Sequence, residues 1–240
     1  MRELTDYAAA IAPLIDAVHI DVHAADRRAG VEYVRRSGLR AGFLIDQRYV
    51  LPLRPLTRAA LATVYRYGTA EEQAAEVAVQ LLQGTLREDE HGGLHATPAT
   101  LAFVDGLYEL HERATARIWA GREELVSELA ALLGRLLDGA ERMPGGALEV
   151  MAPPYEPEGV SPGVALFNRI AAFRYHRADA HAAAWQVAGL TAQEITALRE
   201  GPLWEAVERD TNLRAAVPYR MLEEAQRTRL FQGLRELSGV

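Results

Sequence analysis

Apolar residues recur at three–four spacing along most of the chain, a pattern that predicts a protein built almost entirely of helices. Leu14, Ile15, Val18 and Val22 mark a first amphipathic helix, with Pro13 at its start. A second helix, about 27–37, ends at Ser37-Gly38, a glycine stop. Residues 43–55 are mixed, and Pro52 and Pro55 predict a bent connection. A helix over 56–67 is stopped by Gly68, and Thr69 with Glu72 forms a capping-box signature for the next, through about Leu82. Between 98 and 140, Leu101, Val104, Leu107, Leu110, Ile118, Leu125, Leu129, Leu132 and Leu136 supply one or two long helices. Helices resume at about 164–187, 192–200, 203–209 and 218–237. No period of 20–50 residues repeats, so a solenoid is not indicated.

One stretch breaks the helical pattern. Gly84-Thr85-Leu86-Arg87 and Gly93-Leu94-His95-Ala96 flank a polar tip, Glu88 to Gly92, and predict a short β-hairpin. Thr97-Pro98 then supplies an N-cap and a first-turn proline for the following helix. Two helices, a hairpin and another helix resemble the winged helix-turn-helix of the MarR regulators. The expected fold is mainly α, a multi-helix bundle with a degenerate winged helix-turn-helix element containing one short β-hairpin. Residues 141–163, with five prolines and four glycines, are the expected linker. It separates N-terminal helices plus the winged-helix-like element (1–140) from a C-terminal helical region (164–240) that packs back on the N-terminal helices.

Composition narrows the chemistry. With 240 residues, 49% hydrophobic and 25% charged, the chain is ordinary globular protein of one or two domains. It has no cysteine, which excludes disulfides, thiolate metal sites and cysteine nucleophiles. All 26 basic residues are arginine, so Schiff-base chemistry, lysine-anchored pyridoxal phosphate and a P-loop lysine are excluded as well. The N-terminus, MRELTDYAAAIAPLIDAV, lacks a signal-peptide pattern, and no uncharged run approaches a membrane span. A soluble cytoplasmic protein without membrane association is the expectation.

The net charge of -7 and its placement disfavour nucleic acid as a partner. The helix that would enter a major groove, 70–82, carries Glu71, Glu72 and Glu76 and no arginine. The hairpin tip adds Glu88, Asp89 and Glu90 against a single Arg87, so this surface should repel phosphates. Arg54, Arg58 and Arg66, before the turn, remain as candidate backbone contacts.

The segment 166–185, LFNRIAAFRYHRADAHAAAW, places charge on an apolar face. Wound at about 100° per residue, Leu166, Phe167, Ile170, Phe173 and Trp185 share a stripe with Arg174, Arg177 and His181. His176 and Asp179 are neighbours on roughly the opposite side, as a solvated pair or a contact with another helix. Three polar residues in a core-facing row need partners or a hydrated cavity. Either carboxylates from the N-terminal helices neutralise the arginines, or the two guanidiniums and the imidazole meet an anionic or polar ligand.

A second cluster, His19 and His23 with Asp16, has the i,i+4 spacing of metal-sharing histidines but lacks a third ligand and the HExxH glutamate. His19 is better placed as a buried-edge hydrogen-bonding residue facing the arginine–histidine helix. No metal and no cofactor are expected.

The run Phe173-Arg174-Tyr175-His176-Arg177-Ala178-Asp179-Ala180-His181-Ala182-Ala183, followed by Ala188-Gly189-Leu190, resembles a high-GC bacterial family. Its members carry an LR-x-HR-x-D-x-H-x-AA stretch and are usually described only as helix-turn-helix proteins. Val18-His19, Gly38-Leu39, Arg48 and Pro52-Leu53 are weaker matches. The resemblance implies an all-helical protein with a winged-helix element, and it groups Arg174, His176, Arg177, Asp179, His181 and His19 as a set. It implies no activity. In this chain the winged-helix-like element lies before the motif rather than after it.

Three functions follow as expectations. The first is a helical protein that binds an anionic or polar small molecule through Arg174, Arg177, His181, His176, Asp179 and His19. The second is an enzyme with His181 or His19 as general acid/base and the arginines orienting substrate. The third is a DNA-binding transcriptional regulator, as a homodimer. Ser37, Ser127, Ser161 and Ser238 are the only serines, and none lies in a GxSxG elbow.

Overall fold

A computed structural model describes residues 2–239. Among these residues the fold is mainly helical, with twelve α-helices and one two-stranded antiparallel sheet. The helices are α1 (Arg2–Ala25), α2 (Arg27–Ser37), α3 (Leu44–Gln47), α4 (Arg58–Val64), α5 (Ala70–Leu82), α6 (Pro98–Ile118), α7 (Glu123–Gly139), α8 (Ala147–Met151), α9 (Pro162–Val187), α10 (Ala192–Ala197), α11 (Pro202–Ala215) and α12 (Glu224–Ser238). A 3-10 turn, Val217–Met221, joins the last two. The strands are β1 (Leu86–Glu88) and β2 (Leu94–Ala96).

Local chemistry accounts for most boundaries. Gly38 takes the left-handed conformation, φ 68°, that closes α2. Thr69 and Glu72 cap α5 reciprocally, each side chain meeting the other's backbone N–H. Pro98 opens α6, while the Thr97 hydroxyl turns away from the helix and donates to Gly84 and Thr85 carbonyls of the hairpin. Pro13 is a correction: α1 begins eleven residues earlier and passes through it. Pro13 is exposed, and the buried row Ala8, Ile11, Leu14, Ile15, Val18 and Val22 continues on both sides. A mid-helix proline costs roughly 3 kcal/mol, which burial of that row offsets at about 1.5–3 kcal/mol per large side chain.

The two largest apolar cores share one central helix. The larger gathers α1, α7, α9, α11 and α12, with Leu129, Leu133, Leu136, Leu166, Phe167 and Ile170 wholly buried. The smaller lies under the turn-rich segment from Ala41 to Leu94, α6 and α8, and reaches α9 through Ala171 and Tyr175. Helix α9 therefore has neighbours on several sides: α1, α6, α7, α8 and α11. The stretch 141–163 carries α8, whose Leu148 and Met151 are buried.

The hairpin pairs Leu86 with Ala96, Arg87 with His95 and Glu88 with Leu94. Leu56, just before α4, exchanges both backbone hydrogen bonds with Leu94, at 2.9 and 2.7 Å. The hairpin is thereby tied to the start of the α4–α5 pair. Helix α1, over Glu3–Ala25, is long and apolar enough by composition to cross a membrane. Here its apolar row is covered by α6, α9, α11 and α12.

Candidate functional site

Arg174, Arg177 and His181 follow one another at three–four spacing along α9, on the side that faces α1 and α11. The Arg174 Nε donates to Asp16 Oδ1 of α1 at 2.6 Å, and its Nη1 lies 3.2 Å from His19 Nδ1. Arg177 reaches α11 instead, donating to Asn212 Oδ1 at 2.7 Å and to Glu208 Oε2 at 3.1 Å. Each guanidinium thus carries one carboxylate, but only Arg174 takes it from an N-terminal helix. The arginine side chains are 40% and 30% exposed, so they flank an opening rather than sit in the core.

That opening is a cleft of about 250 Å³ between α1, α9 and α11. Its apolar wall includes Ala8, Ala12, Ile15, Phe173 and Tyr219. Its polar wall holds Arg174, Arg177, His176, His181, Asp16 and Tyr67. His181 Nδ1 is 3.2 Å from the Tyr67 hydroxyl, and its Nε2 is 3.8 Å from Glu208 Oε1. Partial burial lowers the His181 pKa, with Glu208 working against that shift, so the ring is neutral at pH 7. The site therefore offers charged donors, a neutral imidazole and a phenol above an apolar floor. That combination suits a small molecule with both polar and apolar faces.

His176 and Asp179 do not form a solvated pair. Asp179 is buried, and its two oxygens accept from the backbone N–H groups of Ala147 and Leu148 at the start of α8, at 2.9 and 2.8 Å. It also forms an ion pair with Arg66 from the turn after α4. His176 stacks on Phe173, ring centroids 5.5 Å apart and planes 8° apart, and burial lowers its pKa to about 4. Of the two alternatives for this side of the helix, a solvated pair or a contact with another helix, Asp179 shows the second, through α8. With partners all round, α9 also buries Asn168 and Asp179.

His19 stacks on the Phe167 ring and His23 meets it edge-on, at centroid distances of 5.2 and 5.1 Å, with the two imidazoles 4.7 Å apart. His19 stays connected to Arg174, whereas His23 turns towards His111 of α6. Among the described residues no group of three or more His, Asp or Glu side chains is placed to hold a metal. The structure thus brings Arg174, Arg177, His181, His176 and, at its edge, His19 to one region, and sends Asp179 to a structural junction. Tyr67, Glu208 and Asn212 were not anticipated. Glu208 and Asn212 stand i,i+4 on α11, a spacing legible in sequence, but nothing there names α9 as their partner.

The three arginines near the hairpin are engaged within the chain. Arg54 donates to the Val150 carbonyl at 2.6 Å, Arg58 pairs with Glu88, and Arg66 pairs with Asp179. On α5, Glu76 is bound by Arg40 at 2.7 Å, and Glu71 is exposed.

Comparison with protein-family models, with characterised proteins and with solved structures gives no match.

Proposed function

We propose that the chain is a small-molecule-binding protein of winged-helix ancestry, taking a polar ligand in the cleft between α1, α9 and α11. The observation that carries this reading is the cleft itself, where Arg174, Arg177, His181 and Tyr67 converge over an apolar floor. Asp16 and Glu208 already balance the two guanidiniums, so hydrogen bonding rather than net charge selects the ligand. The order helix, turn, helix, hairpin, with Leu56 tied to Leu94, supports the winged-helix ancestry. Tyr67 lies in the turn between α4 and α5, so an occupant touching His181 also touches that element.

A thermal-shift screen with acidic and aromatic metabolites tests the proposal. Stabilisation that disappears in Arg177→Gln or His181→Ala supports it. The absence of stabilisation by any compound opposes it.

One observation favours a second reading, an enzyme with His181 as general acid/base. The sequence of groups Glu208, His181, Tyr67 places a neutral imidazole between a carboxylate and a phenol. Product formation from a stabilising compound, lost in His181→Ala, distinguishes catalysis from binding. The regulator reading has less support. Arg54, Arg58 and Arg66 are spent on internal partners, and a gel shift at low salt reports any residual affinity for a duplex.

A further inference from the structure

A cation is buried against Phe167 without a counter-ion. Arg48, in the turn after α3, is 1% exposed, and among the described residues it takes part in no ion pair. Its two terminal nitrogens donate to the Ile45 carbonyl and the Tyr49 hydroxyl, while Nε has no hydrogen-bond partner. Its guanidinium carbon lies 4.0 Å from the Tyr49 ring centroid and 5.4 Å from that of Phe167. Ring contacts of this kind stabilise a cation by about 0.5–2 kcal/mol. Removing a charge from water costs several kcal/mol per ion.

Three histidines surround the same Phe167 ring: His19, His23 and His111, at centroid distances of 5.2, 5.1 and 4.9 Å. Burial is the main cause that lowers all three pKa values, and the field of Arg48 adds to it. They are neutral at pH 7, so they do not repel Arg48 and can each donate one N–H. His111 is 8% exposed, yet its Nδ1 has no hydrogen-bond partner. Neighbouring Asn168 is fully buried with its Oδ1 unpartnered.

Arg48 and Asn168 are enclosed, but the edges of two of the histidines reach a cleft. His23 and His111 form part of the wall of a second cleft, about 600 Å³, between the C-terminal end of α1, α2 and α6. Its remaining wall is largely apolar, with Ile20, Val31, Val34, Ile45, Leu107 and Leu110, and also carries Arg27 and Asp26, the latter paired with Arg117. An apolar cleft ending on imidazoles, with an uncompensated cation behind them, complements a molecule with an apolar body and one negative end.

We propose that this second cleft binds a small apolar carboxylate, its body on α2 and α6 and its carboxylate at His23 and His111 in the field of Arg48. It is separate from the cleft of α1, α9 and α11 and does not depend on that reading. The anion supplies the countercharge that Arg48 lacks, together with an acceptor for imidazole N–H groups at the cleft.

Hexanoate and cyclohexanecarboxylate are suitable probes, titrated by calorimetry against hexanamide and cyclohexanecarboxamide. Both acids should bind, and the amides should bind at least about tenfold more weakly, a difference near 1.4 kcal/mol. Gly30→Trp fills the cleft from an α2 position where an added Cβ meets nothing within 4 Å, so it should fold and lose affinity for the acids. His111→Leu should weaken binding by tenfold or more, and Arg48→Gln, where folded, should erase the preference for acid over amide. Arg177→Gln, in the other cleft, should leave acid binding unchanged. Failure of both acids to bind the folded wild type overturns the proposal. So does equal binding of acid and amide, full affinity in Gly30→Trp, or loss of acid binding in Arg177→Gln.

Discussion

Arg66 and Asp179 form an ion pair between side chains only 16% and 6% exposed, across 113 residues of sequence. The same carboxylate holds the first two backbone N–H groups of α8. One residue of the α9 motif therefore fastens the turn after α4 and the start of α8 to the central helix. Arg174, His176, Arg177 and His181 of the motif are left to line a cleft.

Asp179→Ala should destabilise the protein by about 3–5 kcal/mol, because it leaves the largely buried Arg66 uncompensated and frees two backbone donors. Arg66→Ala should cost less, about 1–3 kcal/mol, since Asp179 keeps its backbone partners. Urea unfolding of both variants checks the order. Equal or negligible losses would show that the junction does not hold the fold.

Stability should fall as the solution is acidified from pH 6.5. Burial lowers His23 and His176 to about 4, His19 to about 2, and His111 well below its ordinary value. Below the unfolded value of about 6.5, the unfolded chain takes up protons that these folded histidines refuse. The stability present in full above pH 6.5 is thus lost progressively towards pH 4, by up to about 1.4 kcal/mol per pH unit for each histidine. Thermal melts between pH 7 and pH 5 measure this, and His176→Phe should flatten the slope. A melting temperature constant over that range contradicts it.

Not all of this was legible in the chain. The caps at Gly38, Thr69 and Pro98 are local chemistry and are read directly from neighbouring residues. The α1 boundary was not, because tertiary burial of Ala8 and Ile11 overrides the proline signal at Pro13. The stripe of α9 located Arg174, Arg177 and His181 correctly as a group, but a helix surrounded by five others has no outside for Asp179 to occupy. His111 follows Leu107 at i,i+4 in the core-facing row of α6, a histidine at an apolar position and a readable sign. Arg48 lies in a turn where no periodicity exists to mark it as buried.

Gly233→Ala on α12 should destabilise by about 1–3 kcal/mol. An added Cβ would come within 2.8–3.0 Å of the Leu125 and Leu129 side chains of α7. Differential scanning calorimetry should show a lower melting temperature with an otherwise normal transition. An unchanged melting temperature would mean that α7 and α12 can separate without loss.

The Arg174–Asp16 pair should matter little to stability. Its side chains are 40% and 50% exposed, and pairs of that kind contribute about 0–1 kcal/mol. Asp16→Asn should unfold within that margin of wild type in urea while removing one of the two countercharges in the cleft. A loss of several kcal/mol would make the pair part of the core rather than the wall of a site.

The binding claim is tested most directly by screening wild type and the Arg177→Gln/His181→Ala double variant in parallel against acidic and aromatic metabolites, read by thermal shift. At least one compound should raise the melting temperature of wild type and leave the folded double variant unmoved. The claim is contradicted if no compound stabilises wild type, or if every stabilising compound shifts both proteins equally.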